Sequence, residues 1–519
     1  MSIDLLIIIG YFAAIMVIAV RARVASDVSV EEYFVSSRSL PWYSVAASII
    51  ATNIHAGHFL SVVGAAYAFG LAQANFEINA IAGLLIAAFI FVPLYLKAKV
   101  ITISQFFEMK FGTVVGTTYS ILFMLLYGTL YIGSALFWGA YAVEAVFSDE
   151  ITFLGSSPQT RIFVLICVLG TFSATYTYLG GLGAVVKTDL IQFVLLVFGG
   201  LVISTIALSE VGGFSAFYEK TGKVMHLHLS NDHPKLPWLG IITMLLLNLQ
   251  YWGCNQVILQ RVLAARSLKD AQIGLLVGGL FKYLTAALII FPGIALIGIL
   301  GSENALIDKD MAYPTLVKML DGPGLKGLIL CGLFASLMST VDSIFNSVST
   351  LWSVDIYKRF IRPDATDAQV IRSGKLSIVV TLFVGIGMGA FFSYVKFGNP
   401  EVVIDAFFKE LSYFAKIGFV MLICAAVFLK NPSKMLVGVT LVASIPISIV
   451  FKALLPDMPY LIRTGIVIVA TFAIVAIPTI AKNGWRLDTK ELVSVSSKSV
   501  GWWGCALGAS LVLIHVVFH

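Results

Sequence analysis

Charge is scarce in this sequence. Asp, Glu, Lys and Arg supply 12% of its 519 residues, roughly half the share that a soluble domain carries. With a mean hydropathy of +0.95 and a hydrophobic fraction of 59%, too little polar surface is left to cover a water-soluble fold. Cysteine is sparse as well. Cys167, Cys254, Cys331, Cys424 and Cys505 stand singly in apolar stretches, and no Cys-x-x-Cys or Cys/His spacing occurs, so neither a disulfide framework nor structural zinc is expected. No nucleophile motif, paired carboxylates or metal-ligand set falls on one face, which argues against a multi-pass enzyme. The net charge of +6 does not point to nucleic acid, because the positive residues of a membrane protein gather on its cytoplasmic side. No Lys or Arg precedes the first apolar run, which argues against a cleaved signal and for a first helix that enters from outside.

What the sequence has instead is apolar runs of about 20 residues, long enough for a helix across hydrocarbon and too long for barrel strands. We read about fourteen such spans. They lie at 3–20, 43–69, 75–97, 115–147, 160–179, 184–208, 236–260, 271–300, 325–352, 374–395, 402–429, 435–454, 459–481 and 499–518. The fold class is therefore an all-α polytopic membrane protein, one membrane domain over 1–519. Alternating the loops puts most Lys and Arg, among them Arg21, Lys99, Arg266, Arg359 and Lys430, on one side. That side is the cytoplasm, so both termini and the loops 210–235 and 302–326 face outward.

Two spans are interrupted by polar residues. Thr52, Asn53, His55, Gly57 and His58 crowd into one, and Asn248, Gln250, Tyr251, Trp252, Gly253, Asn255 and Gln256 into another. Such clusters are tolerated in hydrocarbon only where they make buried contacts, line a cavity or bind something. They stand five spans apart, the spacing that an inverted five-helix repeat predicts. Aromatic faces beside amides suit a sugar or another polyhydroxyl ring, though Tyr251 and Trp252 also read as packing residues. Glu77 and Lys282 are charges at membrane depth, expected to pair with one another or to contact solute. Asp189 lies near the cytoplasmic end of a span, where helix capping is the plainer role. Ser336, Ser339, Thr340 and Ser343 recur at three and four residues on one helix face, with Asp342 beside them; these hard oxygens suit a hard cation. Lys409, Glu410, Ser412 and Lys416 share the eleventh span, with Lys409 and Lys416 on one face and Asp405 one turn before Lys409, where pairing within the helix is the plain reading. His226, His228 and His233 lie in an outward loop, without the carboxylate or Cys neighbours of a metal site, and read as solvated.

Longer motifs follow along the chain. They are Glu32-Tyr-Phe with Ser39-Leu-Pro-Trp42, Asn53-Ile with Gly57-His-Phe59, Phe76-Glu with Asn79-Ala80, and Gly180-Gly-Leu-Gly-Ala-Val185 with Thr188-Asp and Gln192. Tyr251-Trp with Gln256-Val-Ile and Gln260-Arg261, then Asn346-Ser with Asp355-Ile-Tyr357, complete the series. In this order and spacing the sequence resembles the sodium:solute symporter family, particularly its sodium/glucose cotransporter branch, over nearly the whole chain. The resemblance implies a five-plus-five inverted repeat with broken helices: a peripheral first helix and cytoplasmic loop at 1–42, repeats at 43–208 and 236–429, and peripheral helices at 435–519. It implies Na+ as the coupling ion, held by backbone carbonyls of Ala51, Ile54 and Ser336 and hydroxyls of Ser339 and Thr340. A second cation site or sodium path would involve Asp189, Asp342 and Ser343. The solute pocket would take Asn53, His58, Glu77, Asn248, Tyr251, Trp252 and Lys282, with Tyr251 as an inner gate.

The departures from the branch are specific. Lys409 stands where the sugar branch usually has Gln, which replaces a neutral donor and acceptor with a cation. Asp342 replaces a small or hydroxyl residue, His55 a small one, and Ser104-Gln105 a Pro-Glu pair. The expected activity is sodium-coupled import of a monosaccharide or related polyol through a plasma or bacterial inner membrane. The alternatives are symport of a sugar acid or other organic anion, with its carboxylate on Lys409, and a non-transporting sodium-dependent solute sensor. The partners implied are the solute, sodium ions and the lipid bilayer.

Overall fold

The computed structural model describes residues 3–22, 28–55, 57–301, 305–320, 322–399, 404–484 and 492–519, without the side chains of 404–407. Among the described residues there is no strand, and the chain is a bundle of helices. The first half holds α1 (Ile3–Arg21), α2 (Trp42–Asn53), α3 (Val63–Phe69), α4 (Ala80–Ile86), α5 (Thr113–Phe147) and α6 (Pro158–Glu210). The second half holds α7 (Gly240–Gly253), α8 (Gln256–Leu263), α9 (Leu268–Leu300), α10 (Leu325–Thr350), α11 (Asp367–Gly398) and α12 (Ile404–Phe428). Helices α13 (Lys434–Leu454), α14 (Tyr460–Asn483) and α15 (Lys498–Val517) follow.

Among the described residues, 11 helices are long and apolar enough to cross a membrane. The count falls below the fourteen spans expected partly because a single apolar run that folds back on itself covers two of them. His58–Ala98 is one such run, turned at Gly70 with a φ of +65°. Pro158–Glu210 is another, turned at Gly181 with φ 56° and ψ −154°. Conversely, α7 and α8 are each too short to count because the chain unwinds between them.

A hydroxyl-rich helix lies deepest. The apolar window of the Leu325–Ile361 stretch that begins with α10 is 94% buried, against 17% for α1 and 22% for α15. Hydroxyls and carboxylates cannot face lipid, so the helix that carries Ser336 to Ser347 is driven to the centre, where other helices meet its polar face. The peripheral helices present Leu, Val, Ile and aromatic side chains outward.

Both polar interruptions are real breaks in helix. Ile54, after α2, is extended (φ −88°, ψ 93°), and the His55 amide, which would have closed the next turn onto Ala51, donates to His58 Nδ1 at 3.2 Å. The second break falls at Cys254 and Asn255, and Asn255 then caps α8 by accepting from the Val257 amide at 3.0 Å. Its freed carbonyls are closed off by protein: the Tyr95 hydroxyl donates to Gly253 and the Tyr119 hydroxyl to Cys254. The start of α2 and the end of α8 are joined by backbone, Leu40 N donating to Ala264 O (2.9 Å) and Arg266 N to Leu40 O (3.0 Å).

The outward histidine loop is not simply solvated, as its sequence suggests. Leu227 N donates to Phe518 O (2.8 Å), and His228 Nε2 lies 3.1 Å from His515 Nδ1 at the end of α15. His515 in turn reaches Asn79 Oδ1 at 3.0 Å. Burial and the neighbouring His519 imidazole hold His228 below the usual imidazole range.

Gly181 tests the fold locally. A Cβ there would stand 2.6 Å from the Tyr33 carbonyl, at a positive φ. Gly181→Ala is expected to cost about 1–3 kcal/mol and lower the melting temperature of the purified protein. Gly387→Ala, with nothing within 4 Å of the added Cβ, should leave that temperature within error.

Candidate solute and cation sites

A cavity of ≈ 190 Å³ opens beside the two broken helices. Asn53, His58, Glu77, Asn248, Tyr251, Trp252, Lys282 and Lys409, the residues expected to meet solute, all line it. One wall is a network of charge and amide. Lys282 Nζ donates to Glu77 Oε2 (2.6 Å) and to Asn53 Oδ1, and His58 Nε2 lies 3.3 Å from Glu77 Oε1. Asn53 Nδ2 donates to the Tyr251 hydroxyl at 2.9 Å. Glu77 and Lys282 are both buried, so each compensates the other for lost water. Trp252 Nε1 donates to Asn248 Oδ1 (3.1 Å). The indole packs where α4 is bare, since a Cβ on Gly83 would stand 2.6 Å from Trp252 Cδ1.

A second wall is aromatic and basic. A widened turn at Leu126–Tyr131 stacks Tyr127 on Tyr131 with ring centroids 4.2 Å apart, and both line the cavity. Lys409 Nζ sits 4.5 Å from the Phe76 ring centroid and Lys416 Nζ 5.0 Å from that of Tyr131. Glu410 binds Lys452 (3.0 Å) and Arg463 of the next two helices, and the side chain of Asp405, the expected helical partner of Lys409, lies outside the described residues. Gln250 and the Tyr127 hydroxyl line the same cavity without a hydrogen-bond partner among the described residues.

The candidate cation ligands meet where the first break touches α10. Ser336 Oγ donates to the Ile54 carbonyl (2.6 Å), and Thr340 Oγ1 to the carbonyls of Thr52 and Ser336 (both 3.1 Å). Thr52 Oγ1 lies 3.4 Å from Ser339 Oγ and 3.1 Å from Ser343 Oγ. Ala51 stands in the same last turn of α2, its carbonyl released by the turned-away His55 amide.

Behind these oxygens lies a charged layer. Asp189 accepts from Ser339 on one oxygen and from Ser48 on the other. Arg261 of α8 donates from Nε to Ser48 Oγ (2.8 Å) and from Nη2 to Ser343 Oγ, with Nη2 3.7 Å from Asp189 Oδ2. Asp342 accepts from the Tyr176 hydroxyl (2.6 Å) and from Ser343 (3.1 Å). Asp189, Arg261 and Asp342 are all 0% exposed.

A family model described as the sodium:solute symporter family matches residues 33–431. The chain belongs to that family. The symporter is 28% identical to the sodium/glucose cotransporter of Vibrio parahaemolyticus, over 96% of its own length and 94% of that protein's. It is 33% identical to sodium/glucose cotransporter 1 of Ovis aries over 74% of its own length, and spans 62% of the sheep protein. In fold it is similar to a sodium-coupled sialic acid symporter solved in a substrate-bound outward-open state, with a TM-score of 0.80 at 21% identity, covering 94% of this chain and 99% of that one. A nucleobase-cation-symport-1 family transporter superposes with a TM-score of 0.55 at 15% identity, covering 91% and 97%. Membership makes the chain a sodium-coupled membrane transporter and not an enzyme.

Several residues of the symporter's two networks escape sequence reading. Arg261 enters there only as part of a motif, though it bridges Ser48, Asp189 and Ser343. Tyr127, Tyr131 and Tyr176 look like the ordinary aromatics of any span; only the four-residue spacing of Tyr127 and Tyr131 marks a shared helix face.

The buried ion pair gives a sharp test. Glu77→Gln alone should lower stability by about 3–5 kcal/mol, because it strands a buried ammonium. Combining it with Lys282→Met should restore much of that loss in a thermal double-mutant cycle. Purely additive losses would mean that the pair does not compensate itself.

Proposed function

We propose that the symporter imports a monosaccharide or related polyol with sodium by alternating access. The observation that carries this reading is the adjacency of Thr52 and Asn53. Thr52 belongs to the hydroxyl and carbonyl cluster against α10, while Asn53 holds Lys282 and Tyr251 in the cavity. One helix end thus serves both sites, and a cation that orders it orders the solute wall too.

In this reading sodium takes the carbonyls of Ala51, Ile54 and Ser336 and the hydroxyls of Ser339 and Thr340, an all-oxygen set suited to a hard cation. The solute's hydroxyls are met by Asn53, His58, Glu77, Asn248 and Lys282, its C–H face by Trp252, and Tyr251 closes beneath it. Asp189, Asp342 and Ser343 form a second cation site or path. Two carboxylates and one guanidinium leave that layer one negative charge in excess, and a cation enters there as Arg261 releases Ser343. The breaks five spans apart support repeats at 43–208 and 236–429, and the loop charges support a basic cytoplasmic face with both termini outside.

Only a difference in affinity between states can move the equilibrium, so sodium binds the outward-facing form more tightly, and sodium and solute raise one another's affinity by the same factor. In proteoliposomes an inward sodium gradient is expected to accumulate a hexose or polyol above its external concentration. Downhill equilibration without accumulation would make the protein a channel, sodium-dependent binding without uptake a sensor, and solute affinity indifferent to sodium would overturn the coupling. Ser339→Ala with Thr340→Val should weaken sodium-induced thermal stabilisation by about tenfold in half-saturating sodium, some 1.4 kcal/mol. Asp342→Ala should bring the sodium Hill coefficient of transport down towards one; an unchanged coefficient assigns Asp342 to holding Tyr176 alone.

A further inference from the structure

Most buried cations among the described residues are matched to a carboxylate. Arg161 lies 2.5 Å from Glu144, Lys282 2.6 Å from Glu77 and Lys396 3.1 Å from Asp310. Arg463 meets Glu410, and Arg261 stands 3.7 Å from Asp189. Lys416 breaks the pattern. It is 8% exposed, lines the cavity, and has no hydrogen-bond or ion-pair partner among the described residues. Its Nζ is flanked by two rings, 5.0 Å from the centroid of Tyr131 and 5.3 Å from that of Tyr413. Aromatic faces return only a fraction of what an ammonium loses when it leaves water. Three N–H donors are therefore held at a cavity wall without an acceptor.

The surroundings define what would fill that gap. Glu77 cannot, because Lys282 and His58 already hold it, and Glu410 is turned to Lys452 and Arg463. Lys409 adds a second ammonium to the same cavity. The remaining wall of Asn53, Asn248 and Tyr251 offers amides and a hydroxyl suited to solute hydroxyls.

We propose that Lys416 is the anchor for a carboxylate on the solute, so that the preferred substrate is a sugar acid, a uronate or an aldonate, rather than a neutral sugar. The inference rests on the reading of this cavity as the solute site and names the solute's class within it. The carboxylate supplies the acceptor that the fold leaves out, and the hydroxyls meet the amide wall. A neutral hexose fills the same space while leaving the Lys416 ammonium uncompensated.

The test is sodium-dependent binding to the full-length purified protein by isothermal titration and thermal shift, with D-glucuronate, D-galacturonate and D-gluconate set against D-glucose, D-galactose and myo-inositol. At least one acid is expected to bind about 30-fold or more tightly than its neutral counterpart, the effect of a buried charge pair. Lys416→Gln should erase that preference and leave hexose affinity within about twofold, while Lys416→Arg keeps most of it. Without solute, Lys416→Met should melt at or above the parent temperature, since it removes an uncompensated charge. Neutral sugars binding as tightly as every acid, or Lys416→Gln weakening both classes equally, overturns the inference while the symporter reading stands. A lower melting temperature for Lys416→Met makes the lysine a structural residue and overturns it too. Failure of every solute to bind with sodium present removes both readings together.

Discussion

The carbonyls released where α2 ends must be met by something other than water. In hydrocarbon an unpaired carbonyl costs several kcal/mol, so the break at Ile54 is sustainable only against a helix that brings hydroxyls to it. Helix α10 does so through Ser336 and Thr340, and it is the most deeply buried of the spans. The rest follows from that placement. Asp189 and Arg261 are drawn in behind the hydroxyls, and the apolar helices are left to face lipid. The second break needs no such partner, because Tyr95 and Tyr119 already close its carbonyls. Two interruptions that look alike in sequence thus differ in what closes them: tyrosine hydroxyls at one, and the serine and threonine hydroxyls of α10 at the other.

Charge is distributed with similar economy. The layer behind the hydroxyls holds two carboxylates and one guanidinium, all fully buried, and the solute cavity holds Glu77 against Lys282, with Lys409 and Lys416 in addition. Because Thr52 and Asn53 are consecutive, the two compartments are separated by a single peptide unit. That proximity gives coupling a short physical path, without a relay across the bundle.

Much of this was legible in the sequence because polar side chains are conspicuous in apolar spans. Asn53, His58, Glu77, Asn248 and Lys282 stand out against Leu and Ile, and the structure gathers them on one cavity. Ser336, Ser339 and Thr340 show their common face through helical spacing alone. Other features were not legible, for stated reasons. The Tyr33 carbonyl packed against Gly181 is one, because nothing local ties residue 33 to the turn between the spans at 160–179 and 184–208. Arg261 sits close enough to a span end to pass for a boundary charge, yet it is 0% exposed. The loop around His228 looked solvated because its partner, His515, lies near the other end of the chain. Local pattern shows which side chains are costly; it does not show which distant side chain answers them.

The short backbone link between Leu40 and the Ala264–Arg266 segment has a mechanical meaning. It ties the start of α2 to the end of α8, and Arg261 of α8 clasps Ser48 of α2 a few turns further in. Helices α2 and α8 are therefore tied into one lever rather than two independent arms. A lever fixed at two points along its length cannot open by sliding one half past the other. Any swing of one helix must carry the other with it, and the unwound residues Ile54 and Cys254–Asn255 lie at the inner ends of both.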